Sequence, residues 1–222
     1  MSDQGDVHGI GDAVVAAARH LFGAGVMSHA GHANLSARVD IDRFALTTTG
    51  MVRDLRPDQL ATVGMRGDVL GGSLAPENAE IVAMHSVVYE IRDRVGSVIH
   101  THSPSATAFA LANRELPCRA ETLLRFGQAE PIPVVPWAPR GSDASVRDIR
   151  KILERRPSTS AVLLANHGLL AFGPEPLATA RLIVAIEEAA EAELAAQAIG
   201  GAVDFPPGAL DAVRQSMTRG VS

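Results

Sequence analysis

The stretch Val98–Pro104, VIHTHSP, places two histidines two positions apart at the end of an apolar run. Side chains of a β-strand repeat their direction every second residue, so His100 and His102 are predicted to point to the same side of a sheet. Two imidazoles held side by side at a strand end have the geometry of a metal chelate. The chain is therefore expected to contain a strand that ends at a metal site.

A third histidine, His167, lies in AVLLANHGLLAFG, between two apolar arms that are predicted to be strands. Glycine at position 168 lets the backbone turn tightly there. Three imidazoles bind a divalent ion and leave a coordination position open for substrate. Each histidine could instead be an ordinary core or surface residue, but the H-x-H pair together with the N-H-G turn favours the metal site. The same ligands suit Zn²⁺, Mn²⁺, Fe²⁺ and Co²⁺.

A candidate acid/base group, Glu80, stands twenty positions before His100 on a helix predicted over residues 77–94. A carboxylate near a metal acts as a base or as a ligand. Alternatively, it is only a favourable charge at a helix N-terminus, a role for which Glu77 is better placed.

Four other residues have roles that the sequence leaves open. His85 and Tyr89 lie one turn apart on the helix that carries Glu80, and they either serve the site or pack in the core. His29 and His32 lie in a glycine-rich loop, where they either bind a carboxylate or shuttle a proton, or only shape the loop.

The alternation of helices and strands predicts one α/β domain over residues 1–222, with a mixed sheet between helices. The tail from about residue 200 is rich in Gly and Pro and is either mobile or covers a neighbour. The predicted helices are 9–24, a short one within 53–60, 77–94, 105–115, 143–156 and 175–199. The predicted strands are 34–39, 42–50, a hairpin up to Leu70 around Gly67, 95–102 and the two arms within 161–173, with 131–143 as an extended crossing.

Composition excludes several classes of function. The formal net charge is −5 with no basic cluster, which argues against nucleic acid as a partner. Of 20 basic residues only Lys151 is a lysine, and it lies in a charged helix, so Schiff-base chemistry lacks a candidate. Cys118 is the only cysteine, no apolar run is long enough to cross a bilayer, and the N-terminus lacks a secretory pattern. A cytoplasmic location without membrane partners is expected.

Four blocks in order along the chain resemble the class II aldolase/adducin family, and together they cover most of it. HAGHANLSAR resembles the glycine-rich G-N-[IV]-S loop of that family, and LTTTGMVRDL resembles its T-P-x-G block. EIVAMHSVVYEIRDRVGSVIHTHSP resembles the E…H…Y…H-x-H block, and LLANHGLLAFG resembles the H-G block. One block alone has little specificity, whereas all four in register are specific.

The resemblance implies a three-layer sandwich with a mixed, mostly antiparallel sheet. It also implies a divalent metal, zinc or another transition metal, and a homotetramer with sites at subunit interfaces that acts on a small molecule. The implied metal ligands are His100, His102 and His167, and Glu80 is the implied catalytic acid/base. The expected substrate pocket contains Asn34, Thr49, Gly50, His32 and Asn78.

Three departures from the family pattern bear on the reaction. The glutamate usually lies four residues before the helix histidine, whereas Glu80 lies five before His85. Asn78 and Ala79 replace the serine pair that binds substrate phosphate. The only tyrosine is Tyr89, so the tyrosine that donates a proton in the sugar-phosphate aldolases has no counterpart after the H-x-H.

These departures favour decarboxylation of a non-phosphorylated hydroxylated acid, such as a dihydroxy-aromatic acid, through a metal-stabilised enolate, because loss of CO₂ needs no acid to protonate an aldehyde oxygen. The alternative is aldol cleavage of a small hydroxy-carbonyl or sugar-phosphate substrate. An epimerase and a non-catalytic adducin-like scaffold remain open, although the three retained histidines favour an enzyme. Arg53 or Arg38 is the candidate partner for a substrate carboxylate.

Overall fold

Eight strands form a single sheet in the computed structural model, which describes residues 3–219. The strands are β1 Ala33–Arg38, β2 Arg43–Thr47, β3 Leu60–Gly64, β4 Val69–Gly71, β5 Ser97–Thr101, β6 Val134–Val135, β7 Ala161–Leu164 and β8 Gly168–Gly173. Their order across the sheet is β4-β3-β2-β1-β5-β8-β7-β6. Neighbours pair antiparallel except β6 and β7, which are parallel, so the predicted mixed and mostly antiparallel sheet is confirmed.

Helices cover both faces of the sheet. They are α1 Asp3–Gly23, α2 Pro76–Ala79, α3 Val82–Ile91, α4 Pro104–Leu111, α5 Glu121–Arg125, α6 Asp143–Arg155, α7 Pro176–Ala196 and α8 Ala209–Arg219, with a 3₁₀ turn at Gln197–Ile199. No helix within residues 3–219 combines the length and the apolar composition that crossing a bilayer requires.

The apolar core is divided by the sheet into two clusters. Ile99 of β5 packs with Leu21 of α1 and Ile183 of α7. The preceding residue, Val98, packs in the other cluster with Val88 of α3. Successive residues of a strand point to opposite faces, so this division is what a sheet between two helical layers produces. The predicted three-layer sandwich is confirmed.

The helix predicted over 77–94 is wrong as one element, because the chain breaks at Glu80 and Ile81 between α2 and α3. The two helices are held at different places. Asn78 of α2 donates from Nδ2 to the Thr47 carbonyl at the end of β2, whereas His85 of α3 bonds to side chains of β1. The break at Glu80 and Ile81 lies between these two anchored residues.

Two other expectations about local structure need correction. The segment 53–60 contains turns and no helix, because Pro57 interrupts it and disfavours a helical conformation at Arg56. The tail after Gly200 contains α8, which the sequence did not predict, and Asp204 forms an ion pair of 2.7 Å with Arg119. Mobility of this tail stays a prediction, and its residues 220–222 lie outside the described range.

A buried polar network joins α3 to β1. Ser36 Oγ lies 2.8 Å from the Tyr89 hydroxyl and 2.7 Å from His85 Nδ1. His85 Nε2 lies 2.6 Å from Asn34 Oδ1. These four residues are buried, so each polar group depends on the others for its hydrogen bonds. Tyr89 therefore has a structural role, and the network sets the position of α3 on the sheet.

Removing the central hydroxyl of this network tests its contribution to stability. In Ser36→Ala, the Tyr89 hydroxyl and His85 Nδ1 lose their shared partner, and the free energy of unfolding is expected to fall by about 1–3 kcal/mol. Urea unfolding followed by circular dichroism measures the change.

The matched control is Ser86→Ala on α3, because the Ser86 hydroxyl is buried without a hydrogen-bond partner. Its removal should leave stability unchanged or raise it slightly. Equal stability of Ser36→Ala and the unchanged protein would contradict the role given to the network.

Candidate metal centre

The three histidines that the sequence selects come together at one end of the sheet. His100 lies in β5 and His102 just beyond it, while His167 lies in the turn between β7 and β8. Because β5 pairs antiparallel with β8, the end of β5 lies beside the start of β8. One ring nitrogen from each histidine lies within 4.8 Å of the others. The ring centroids are 4.6–5.1 Å apart.

Hydrogen bonding orients the most buried of these rings. His100 Nδ1 lies 2.9 Å from the Leu169 carbonyl oxygen, which can only accept, so Nδ1 carries the proton. The unprotonated Nε2 then faces His102 Nε2 at 3.2 Å. A ligand histidine in a metal site is commonly oriented in this way by a carbonyl behind it.

Burial keeps the three imidazoles neutral. It lowers the pKa of His167 to about 4, and the charges of His102 and Arg140 add to the effect. Burial is also the main cause that lowers the pKa of His100 and of His102. Neutral imidazole is the form that binds a metal, because the lone pair is free at neutral pH. The donor set therefore fits a divalent transition metal with at least one open position.

The backbone of the β7–β8 turn is adapted to this packing. Asn166 has a left-handed backbone, with φ 56°, and turns the chain just before His167. At Gly168 an added Cβ would lie 2.5 Å from the Thr101 carbonyl oxygen and 2.9 Å from His102 Cδ2. Glycine at this position is what allows the two strand ends to approach closely enough to bring the rings together.

Gly168→Ala should disrupt the centre, because the new methyl group must push β8 away from Thr101 and His102. We expect Zn²⁺ or Co²⁺ affinity to fall at least about tenfold, towards the level of His102→Ala, which lacks one ligand. Isothermal titration with each ion measures it.

Gly23→Ala at the end of α1 is the control, since an added Cβ there meets no atom within 4 Å. Full metal content in both Gly168→Ala and His102→Ala would remove the ligand assignment.

A cavity of about 230 Å³ lies over the histidine cluster. Seven of the eight predicted substrate and metal positions line it, and Thr49 is the exception. Its lining is His32, Ala33, Asn34, Gly50, Glu77, Asn78, Ile81, His100, His102, Arg140 and His167.

Several predicted or considered residues lie outside that lining, among them Glu80, Thr49 and His29. Glu80 is 58% exposed and forms an ion pair with Arg140 at 3.2 Å. Thr49 turns its hydroxyl towards the Met51 carbonyl at 3.5 Å. His29 is exposed on the loop before β1. Glu80 lies at the break between α2 and α3, whereas Glu77 and Asn78 of α2 line the cavity.

Two charged lining residues were missed as site residues by the sequence analysis. Glu77 was treated only as a helix-end charge, but it lines the cavity. Arg140 lies in the segment predicted as an extended crossing. No local pattern distinguishes it from the other arginines, because the approach of residues 136–142 to the α2–α3 break is a long-range contact.

The buried network described above ends at the cavity. The Asn34 oxygen can only accept, so His85 donates from Nε2, and its Nδ1 then accepts from the Ser36 hydroxyl. Burial lowers the pKa of His85 to about 3, which keeps the ring in this neutral form. The Asn34 oxygen is thereby occupied, and its NH₂ group is the part left to contact a molecule in the cavity that Asn34 lines.

The depressed pKa of His85 predicts a pH dependence of stability. The unfolded chain protonates this ring near pH 6.5, while the folded protein resists protonation down to about pH 3. The unfolded state thus binds more protons in this window, and stability falls as the pH decreases through it. As the pH decreases from 6.5 to about 5, His85 is expected to lower the free energy of unfolding by about 2 kcal/mol.

Urea unfolding of the metal-free protein at several pH values measures this slope. His85→Gln should unfold with a shallower dependence on pH below 6.5, because it lacks the buried ionisable group. An unchanged slope in that variant would show that His85 does not resist protonation.

The chain belongs to the class II aldolase family. Residues 12–194 match the family model described as Class II Aldolase and Adducin N-terminal domain. The matched range includes the whole candidate centre. The family consists of divalent-metal-dependent enzymes of the lyase type together with relatives of the same domain, and this chain is an enzyme of that family.

Relatives of known activity catalyse different reactions. The chain is 31% identical over 159 residues to a 5-methylthioribulose-1-phosphate/5-deoxyribulose-1-phosphate aldolase of Rhodospirillum rubrum, covering 71% of this chain and 68% of the relative. It is 29% identical to a methylthioribulose-1-phosphate dehydratase of Pseudomonas syringae pv. syringae, covering 84% and 94%. It is 28% identical to a 3-oxo-tetronate 4-phosphate decarboxylase of Haemophilus influenzae, covering 72% and 76%.

The fold has close counterparts among solved structures. An L-fuculose 1-phosphate aldolase superposes with a TM-score of 0.82 at 22% identity, covering 94% of this chain and 96% of that chain. This likeness establishes the class II aldolase fold and its three-layer arrangement.

Proposed function

We propose that the protein is a metal-dependent carbon–carbon lyase that decarboxylates a hydroxylated acid. The observation that carries the proposal is the cluster of His100, His102 and His167 beneath a cavity large enough for a small molecule. A divalent ion held by these three rings would act as a Lewis acid and stabilise the negative charge of an enolate. Zinc is the first candidate, with manganese, iron and cobalt as alternatives.

The chain's own residues bind and orient the substrate. The NH₂ group of Asn34 donates to a substrate oxygen, and its direction is fixed through His85 and Ser36. His32 and Gly50 form the adjacent wall of the cavity. Asn78 is tied to the Thr47 carbonyl through Nδ2, which keeps its own oxygen available for a donor group of the substrate.

A carboxyl group near the cavity acts as the acid/base group and supplies the proton that the substrate carbon takes up after CO₂ leaves. Glu80 is our assignment, and its pairing with Arg140 keeps it beside the cavity rather than inside the lining. Glu77 lines the cavity directly and is the second candidate. The two differ in what each must do: Glu80 has to release Arg140 and turn inward, whereas Glu77 already borders the substrate.

Decarboxylation is favoured over aldol cleavage by two features of the structure. Tyr89 is buried and bonded to Ser36, and burial raises the pKa of its hydroxyl further above its usual range, so it does not serve as a proton donor to substrate. Within residues 3–219, no serine, threonine or tyrosine hydroxyl lines the cavity. A related decarboxylase exists in the family, and its name indicates a phosphorylated oxo acid.

Aldol cleavage is the second candidate function, because a relative with 31% identity is an aldolase. The name of that relative gives sugar phosphates as its substrates. The same activity in this protein would require a phosphate to bind in a cavity that, within residues 3–219, no hydroxyl side chain lines.

We also propose that the protein is a homotetramer with sites at subunit interfaces. Light scattering measures the mass of the assembly, which is compared with the 23.3 kDa of one chain.

Product analysis separates the candidate reactions. The purified metal-loaded protein is incubated with a panel of hydroxylated aromatic acids, oxo acids and sugar phosphates, and products are identified by mass spectrometry. Release of CO₂ supports the proposal. Two carbon fragments indicate an aldolase, and loss of water indicates a dehydratase, and either result without CO₂ would reject decarboxylation.

Variants of the two carboxylates identify the group that handles the proton. Glu80→Gln should retain metal and lose about 10²–10⁴ of the rate. Glu77→Gln is nearly isosteric and removes the same charge from the neighbouring helix turn. If Glu77→Gln shows the large loss and Glu80→Gln does not, the acid/base role belongs to Glu77.

A further inference from the structure

We propose that Arg140 binds an anionic group of the substrate that is not removed in the reaction, either a carboxylate or a phosphate. This inference rests on the proposed function, since it concerns the same cavity. It also defines the substrate class more narrowly: the molecule carries the oxygens that face the histidines and, separately, a negative charge.

Arg140 stands where two cavities meet. It lines the cavity over the histidines and an adjoining one of about 130 Å³, and Ile81 and His167 are the other residues shared by both. The adjoining cavity is walled by apolar side chains such as Met84 and Trp137. A substrate held at the histidines can therefore extend past Arg140, which contacts the part of the molecule away from the reacting bond.

The position of Arg140 is fixed by its backbone. Gly141 has a left-handed backbone, with φ +71°, and an added Cβ there would lie 2.5 Å from the Glu80 carbonyl oxygen. The loop thus packs directly on the break between α2 and α3. Arg140 donates from Nη2 to the Glu77 carbonyl and from Nε to Glu80 Oε2. These two bonds leave other N–H groups of the guanidinium for a ligand, since it has five.

The other candidate arginines are engaged elsewhere. Arg38 donates to the Val95 carbonyl at 2.8 Å and to the Tyr89 carbonyl at 3.1 Å, which ties β1 to the end of α3. The Arg53 guanidinium lies over the Phe22 ring, 4.6 Å from its centroid. Neither lines the histidine cavity. Among the residues of 3–219 that do, Arg140 is the only arginine or lysine.

Charge in the cavity favours an anionic ligand. Arg140 lines the same cavity as His102 and His167, so its positive charge lies at the wall of the space over the rings. With a divalent ion on those rings, positive charge would stand on two sides of the cavity. Glu77 is the opposing negative group in the lining. A guanidinium recognises carboxylate and phosphate through paired N–H donors.

The anion bound by Arg140 has to be one that stays on the substrate. An ion pair to the carboxylate that leaves as CO₂ would stabilise the ground state and would be lost in the transition state, which slows the reaction. An ion pair to a second anionic group is kept throughout. It orients the substrate without opposing the loss of CO₂.

The ion pair with Glu80 fits the same role. Both side chains are partly exposed, at 41% for Arg140 and 58% for Glu80, so a substrate anion can displace the carboxylate at small cost. Displacement would free Glu80 at the edge of the cavity when substrate arrives. Substrate binding and the availability of this carboxylate are thereby coupled.

Binding of three probes with the same chelating ring tests the proposal without turnover. Catechol is neutral outside the ring oxygens, 3,4-dihydroxyphenylacetate adds a carboxylate that is not attached to the ring and so cannot be lost from the ring as CO₂, and 3,4-dihydroxyphenylphosphonate adds a phosphonate. We expect the Co²⁺-loaded protein to bind one or both charged probes at least about tenfold more tightly than catechol. Whichever of the two charged probes binds more tightly indicates whether the anionic group of the natural substrate is a carboxylate or a phosphate.

Arg140→Gln should bind catechol like the unchanged protein and lose the preference for the charged probes. Arg150→Gln is the control for charge, because Arg150 pairs with Glu90 on the outer side of the α3–α6 layer. Arg53→Gln is the control for the rival assignment. Both should keep the preference. A preference that survives in Arg140→Gln, or that is lost in either control, overturns the proposal.

If Arg140→Gln fails to bind catechol as well, Arg140→Lys decides, since it keeps the charge without the paired donors. A reduced or absent preference in that variant, with catechol still bound, supports the role of Arg140, and an undiminished preference for the charged probes overturns it. The result is independent of the reaction: a preference that depends on Arg140 without CO₂ release rejects only decarboxylation, whereas CO₂ release without such a preference rejects only the anion site.

Discussion

The antiparallel pairing of β5 with β8 is the interaction on which the candidate centre depends. It aligns His100 with Leu170 across the ladder and brings the end of β5 against the turn that carries His167. The Leu169 carbonyl of β8 then orients the His100 ring, and Gly168 leaves the space in which the rings meet. The three histidines are therefore carried by segments within or directly next to a hydrogen-bonded ladder.

A second constraint is the division of the 76–91 segment into α2 and α3. Asn78 attaches α2 to β2, and the network through His85 attaches α3 to β1. The break between them is where the loop around Gly141 packs. This arrangement brings Glu77 and Arg140 to the cavity from segments far apart in the sequence. It also pairs Glu80, our assigned acid/base group, with Arg140, the residue that we infer to bind the substrate's second charge.

The sequence predicted the sheet and the histidine cluster well because both have strong local signals. Apolar runs and their spacing indicated the strands, and an H-x-H pair at a strand end directs both side chains to the same side of the sheet. The helix over 77–94 was predicted as one element because its apolar periodicity continues through Ile81. Hydrogen bonds from Asn78 and His85 to different strands override that periodicity, and such bonds leave no pattern in neighbouring residues.

The sequence by itself determined the three-layer class, the family and the identity of the three histidines, since each depends on residue types at fixed local spacing. Tertiary structure decided which charged residues border the cavity: Glu77 rather than Glu80, and Arg140 rather than Arg38 or Arg53. The physical reason is that the effect of a charged group on a site depends on the distance between them in space. Those distances are set by how loops and helix ends pack on the sheet, and separation along the chain does not encode them.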